Sequence, residues 1–363
     1  MSERVLTTRE LNRSLLARQL LLERSRLPLG RALERVGGLQ AQYAPAPYIR
    51  LWSCLEGFAR DDLTRALERK RAAHGTLMRS TIHVVSARDY WLFSAGVGPS
   101  QQEWWLRTHG QASGDVDLDA LAATLRRELA GGTRRRQEVD ELIRSHGSTV
   151  WNGAWVELVR VPPAGTWERR RADLFQLAAE WLGPGEATEE EGLVHLLRRY
   201  LAAFGPARID DAAKWAGVAP AKMRAAAERL QLRRFRDQDG KPLLDLPRAP
   251  LPNASVPAPV RFLPTGDATL LVHARRTQIL PERFRERIFH VRAPHSFATF
   301  LVDGAVAGTW RVERTPRKAT VVLEPFERLP RDARRELEDE GSGLVRFHEP
   351  DATSFATRAA RPS

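Results

Sequence analysis

The segment LERVGGLQAQYAPAPYIRLW carries two carboxamides, Gln40 and Gln42, one residue apart between Gly37-Gly38 and Pro45. Turns ordinarily take Asn, Asp, Ser, Pro or Gly, so paired glutamines are an unusual choice there. If the segment is extended, side chains two apart share a face and the amides project together; if it is helical they diverge by about 200°. The glycines before it and the proline after it favour the extended form. A carboxamide offers a carbonyl acceptor and two N–H donors but is a poor base. The chemistry open to such a pair is therefore the placing of a water and the aiming of a dipole. Two amides that merely satisfy turn groups meet the same spacing.

Other constellations are missing. There is no Walker A loop, no H-E-x-x-H, no G-x-S-x-G and no His/Asp/Glu group at metal-ligand spacing, so neither a metal nor a cofactor is expected. The single cysteine, Cys54, excludes an intramolecular disulfide and a Cys-based zinc site, and it falls inside the helical pattern of Tyr48, Leu51, Trp52 and Leu55, as a packed thiol would. His146 and His195 lie on helical core faces or their edges and read as structural. His83 differs: in HGTLMRSTIHVVS, Met78, Ile82 and Val84 alternate with Arg79, Thr81 and His83, which places those three polar residues on one strand face. Such a strip is either the wet side of a hairpin or a nucleic-acid contact.

The formal charge of +12, carried almost wholly by arginine, favours a polyanionic partner. No apolar run approaches the ~20 residues that span a bilayer, and MSERVLTTRE lacks the apolar centre of a signal peptide. A cytoplasmic protein with no membrane association is expected.

Helices followed by short hairpins recur along the chain and predict an α+β protein of three tandem winged-helix units. The first, residues 1–95, opens with a capping box at Thr7-Thr8-Arg9-Glu10 and holds four helices before the strand-like HGTLMRSTIHVVS. The second, 115–185, has helices on Leu118, Leu121 and Leu125, on Val139, Leu142 and Ile143, and on Trp151, Trp155, Leu158 and Val159, closed by a Pro-Pro-Ala-Gly turn and the strand-like TWERRR. The third, 186–250, runs through helices from Glu189, Ile209 and Pro220 into the wing strands LRRFRD and PLLDL. A proline-rich connector leads into residues 251–363, a β-meander or small barrel with Asp303-Gly304 as hairpin turn, a charged helix over Arg331 to Glu340, and a frayed tail.

Tandem winged helices first suggest a transcriptional regulator. In the third unit, however, the helix that would enter the major groove turns Ala221, Ala225 and Glu228 outward, whereas base reading wants Arg, Asn or Gln. Base-specific reading by this unit is not expected, and the arginine excess would serve phosphates.

GGLQAQYAPAPYIRLWSCL, LMRSTIHVVSARDY and FLVDGAVAGTWRVE together resemble the AlkZ-like family of bacterial DNA glycosylases, which includes the YcaQ branch. The resemblance spans nearly the whole chain and rests chiefly on Gln-x-Gln. It implies tandem winged helices with a C-terminal β region, and removal of N7-alkylated purines, in some members bulky natural-product adducts or interstrand crosslinks. By that resemblance Gln40 and Gln42 match the catalytic motif; the YcaQ-like branch has Asp at the second position, so Gln42 places this chain in the Gln-x-Gln branch. The expectation is a monomeric, monofunctional enzyme acting on double-stranded DNA with alkylated purines. Arg79, Thr81 and His83, with Trp310 and Arg311 of the C-terminal hairpin, would contact that DNA. The alternative is a non-catalytic regulator in which QAQ is a turn.

Overall fold

The computed structural model describes residues 3–110, 117–146, 155–271, 274–289 and 296–361. Helices α1 (Thr8–Arg18), α2 (Leu29–Val36), α3 (Ala46–Cys54) and α4 (Arg60–Glu68) precede the hairpin of β3 (Ala72–Thr76) and β4 (Ile82–Ser86), and the two-residue strand β2 (Leu39–Gln40) lies between α2 and α3. Thr7 caps α1 reciprocally with Glu10, as its sequence predicts. Gly37 ends α2 at φ 79°, a left-handed conformation suited to glycine.

After β4 the chain enters α5 (Ala87–His109), 23 residues that run through position 95, where the first unit was expected to end. Gly98 and Pro99 in its middle disguise it in the sequence. Its Gly96 crosses Gly192 of α9 (Glu189–Phe204) so closely that a Cβ on either would lie within 2.6 Å of the other's backbone.

Helices α6 (Leu118–Glu128) and α7 (Arg136–Ser145) flank β5 (Arg134–Arg135) and pack on Trp155 and Phe175. Where a helix was expected across Trp155, Leu158 and Val159, Leu158–Arg160 forms strand β6, hydrogen-bonded to β3 on one side and to β7 (Leu174–Leu177) on the other. Trp151 lies outside the described residues. A short apolar run buried on both faces reads alike as helix or central strand, and here the β-branched Val159 and Val161 and two waiting partners decide for the strand. TWERRR is likewise a turn, not a strand. The result is one six-stranded sheet, β2-β4-β3-β6-β7-β5, that joins the first two expected units.

Beyond the short α8 (Ala178–Leu182), α9, α10 (Ile209–Ala216) and α11 (Pro220–Glu228) lead into the antiparallel hairpin β8 (Arg233–Arg236) and β9 (Pro242–Asp245). The N-terminal β1 (Arg4–Val5) adds to β8 in parallel. The fully buried Arg18 of α1 forms a two-pronged ion pair with the fully buried Asp245 at 2.6 and 3.0 Å and also donates to the Pro250 carbonyl of the proline-rich connector at 2.8 Å. Buried Arg13 reaches Asp303 in the C-terminal region.

That region is a five-stranded sheet, β10 (Arg261–Leu263), β11 (Thr299–Val302), β12 (Ala305–Arg314), β13 (Lys318–Pro325) and β14 (Ser354–Ala359), in that spatial order. Within the expected meander, Thr269–Leu271 of the apolar stretch TLLVHAR is turn, and Val272 and His273 lie outside the described residues. After the four-residue α12 (Arg285–Ile288), the last helix, α13 (Arg331–His348), outruns its expected end at Glu340, and the residues taken for a frayed tail form β14, parallel to β13. No helix among the described residues is long and apolar enough to cross a membrane.

Candidate active site

Gln40 ends β2 directly opposite His83 of β4. One step on, the Ala41 N–H donates to the Ile82 carbonyl at 2.7 Å, but the Ile82 N–H donates to the side-chain carbonyl of Gln42 at 3.1 Å. The Gln42 amide thus stands in for a backbone acceptor just where the chain bends toward α3. The Gln40 carbonyl in turn accepts from the Arg79 guanidinium at 3.0 Å. Because both partners are pure donors, the oxygen of each carboxamide is fixed toward the Arg79–Ile82 segment. Each oxygen retains a second lone pair. Gln40 is half-buried and Gln42 exposed.

The segment that holds them is unusual. Between β3 and β4, Met78–Ser80 makes a single 3-10 turn in which Arg79 and Ser80 take φ of 55° and 56°. Neither is glycine, and residues in that region store strain of about 1–3 kcal/mol each. The turn is over-determined by its surroundings. Arg79 also donates to the Trp215 carbonyl at the end of α10, and Gly217, at φ 79°, packs so tightly that a Cβ there would come within 2.8 Å of the Arg79 backbone nitrogen. Burial brings the Arg79 guanidinium down to about 10, which leaves it charged at neutral pH. A cleft of about 470 Å³ opens against Arg79 and Ser80, with Trp104 and Arg107 of α5 on its walls.

The polar strip expected on one strand face does not form. Arg79 turns inward to Gln40, Thr81 donates its hydroxyl to the Met78 carbonyl at 2.9 Å, and His83 is buried with Nδ1 3.0 Å from the Thr81 carbonyl. Positive φ at Arg79 and Ser80 breaks the two-residue alternation on which that expectation rested. Burial, reinforced by the charge of Arg79, lowers His83 to about 3, so its ring is neutral. His74, two positions into β3, is likewise buried and lowered to about 3, chiefly by burial and then by Arg160.

Trp310 and Arg311 lie in the other sheet. Trp310 is 7% exposed, packs edge-on against Phe262 and donates its indole N–H to the Leu263 carbonyl at 3.0 Å, so its ring is a core element. Arg311 is half exposed, but its guanidinium meets Glu324 and, at 2.8 Å, Glu313. Cys54 is fully buried, and its thiol is pushed up by that burial, as a packed residue should be. His195 bonds Asp89 at 2.7 Å, in keeping with a structural role.

Sequence reasoning missed Arg170. It sits in the β6–β7 loop with its guanidinium 5.9 Å from the ring of Tyr43, the residue after Gln42. The run of three arginines, Arg169 to Arg171, was the only signal available.

The family of DNA glycosylase AlkZ-like proteins matches residues 33–347. The chain belongs to the AlkZ-like DNA glycosylase family. Membership makes it a DNA glycosylase of DNA repair, a hydrolase of N-glycosidic bonds with DNA as substrate. Among solved structures, the Streptomyces sahachiroi DNA glycosylase AlkZ superimposes with a TM-score of 0.79 at 20% sequence identity, covering 98% of this chain and 100% of that one. At that identity the likeness speaks for the fold alone. No curated protein matches by sequence.

Proposed function

We propose that this glycosylase is monofunctional and hydrolyses N7-alkylguanine nucleotides in duplex DNA, with Gln40 and Gln42 as the catalytic pair. The observation that carries the reading is that both amide oxygens are pinned by donors from one four-residue segment, Arg79–Ile82, beside solvent. Alkylation at N7 makes guanine cationic, so the glycosidic electron pair that departs to N9 leaves a neutral base. Such a leaving group needs little help from a general acid. What remains is to seat a water below C1′ and to stabilise the oxocarbenium-like sugar by oriented dipoles. The exposed Gln42 is suited to hold that water by its remaining lone pair, while Arg79 keeps the Gln40 dipole in register. Undamaged bases, with poor leaving groups, are left alone.

The three helix-and-hairpin regions, within 1–95, 115–185 and 186–250, are read as winged-helix units that serve as scaffold. Supporting this, the cations of α11 and its end are tied to carboxylates: Lys222 to Glu103 and Glu189, Arg224 to Asp210, Arg229 to Glu190. Bulky adducts and interstrand crosslinks fall within the same leaving-group chemistry.

The test is incubation with duplex carrying N7-methylguanine, followed by alkaline cleavage at abasic sites. Release by the wild type, and a fall of about 100-fold or more for Gln40→Ala or Gln42→Ala in folded protein, is the expected result. No release from several N7 adducts would favour a non-catalytic DNA-binding role. Borohydride trapping of a covalent DNA adduct would overturn the monofunctional part, since that requires an amine nucleophile.

A further inference from the structure

Tyr43 is one of the few large apolar side chains left in solvent, 40% exposed, and it directly follows the Gln-x-Gln pair. Its backbone is fixed, because its carbonyl accepts from Ala46 N–H at 2.9 Å as α3 begins. The group facing its ring is the Arg170 guanidinium at 5.9 Å, at the outer limit of a cation–π contact. Arg169 and Arg171 on either side both pair with Asp173, whereas Arg170 makes no ion pair among the described residues.

The loop that delivers Arg170 is anchored firmly. Trp167 is buried, edge-on to Tyr48 at 5.8 Å and covered by Arg60 at 4.9 Å. Gly165, at φ 72°, lies so close to His74 that a Cβ would come within 2.6 Å of its ring. The loop tip is therefore held beside Tyr43, the residue after Gln42, with one cation free of ion pairs over one exposed aromatic ring.

We propose that the Tyr43 ring is a specificity-determining surface for the cationic purine, and that Arg170 is the resident cation which the lesion displaces. This rests on the N7-alkylpurine reading above. A π face attracts a cation and is nearly indifferent to a neutral base of the same shape, so Tyr43 distinguishes the alkylated purine by charge as well as by bulk. Arg170, once displaced, lies beside the duplex and can pair with a phosphate. The exchange of one cation for another makes the ring's contribution to the encounter modest and selective.

The experiment compares two duplexes that resist cleavage. One carries N7-methylguanine on a 2′-fluorinated sugar, a cation; the other carries 7-methyl-7-deazaguanine, its neutral isostere. Dissociation constants come from fluorescence anisotropy. Wild type should prefer the cation by about two- to five-fold. Tyr43→Phe should keep that preference and Tyr43→Leu should abolish it, while Arg170→Ala should widen it and weaken binding to both duplexes. A preference unchanged in both Tyr43→Leu and Arg170→Ala, or absent from the wild type, would overturn the proposal. The ratio is read without any base release, so failure of the wild type to excise N7-methylguanine would count against the hydrolysis and not against Tyr43.

Discussion

β11 and β12 meet through Asp303-Gly304, both at positive φ (46° and 81°), the pair of residues that a two-residue turn of this hand prefers. β3 and β4 meet through Leu77–Thr81, where Arg79 and Ser80 hold the same region of backbone space without that advantage. The first hairpin closes over an apolar face, with Trp310 seated against Phe262. The second has buried His74 and His83 among its strands and a guanidinium turned inward at its tip. Two stretches of similar alternation therefore differ in what holds them: one satisfies local rules, while the other departs from them where it donates to the glutamines. Departures of that kind cluster at functional sites, because only surrounding structure makes them tolerable.

The contrast can be broken by substitution. Trp310→Ala should lower unfolding free energy by about 3–5 kcal/mol, measured by denaturant titration, while single-turnover excision per folded molecule stays near wild type. If excision falls without loss of stability, Trp310 belongs to the site after all. Arg79→Ala should do the reverse in emphasis. Losing the donor to Gln40 should slow excision by about ten-fold or more, with a stability change of about 1–3 kcal/mol, whereas substrate affinity moves little.

Acid sharpens the same comparison. His74 and His83 are held neutral at about 3 in the folded chain and titrate near 6.5 when unfolded. Below about pH 6.5 the unfolded chain binds the extra protons, so stability is complete above that pH and is lost as pH falls toward 3. The slope is on the order of 1.4 kcal/mol per pH unit for each histidine. His74→Leu should therefore move the acid-unfolding midpoint to lower pH. The smallest effect is expected at Arg311: with two carboxylates beside it, Arg311→Ala should change stability by less than about 0.5 kcal/mol and the salt slope of DNA binding by less than about one.

Sequence periodicity reached far into this fold. The capped start of α1, the glycine stop of α2, the α9–α11 run with its hairpin, and the Asp303-Gly304 turn all stand where local chemistry puts them. It failed where long-range partners decide. β6 is a strand because β3 and β7 flank it, and β14 is ordered because β13 offers an edge. At the site, the spacing of Gln40 and Gln42 showed only that the two amides could share a face. The donors that fix them were not legible, since Arg79 reaches Gln40 only by abandoning the strand alternation that its neighbours suggest. Arg170 was beyond reach for a simpler reason: no local pattern says which of three adjacent arginines lacks a carboxylate.

The two buried arginines of α1 also set an order of events during synthesis. Arg18 finds its carboxylate at Asp245, and Arg13 finds its own at Asp303, 290 residues further along the chain. At about 5–20 residues per second the ribosome delivers that partner roughly 15–60 s after Arg13 emerges. Until then Arg13 lacks the carboxylate against which it is buried. Helix α1 is thus made well before the carboxylates that receive its arginines, and its docking waits while the chain between is laid down.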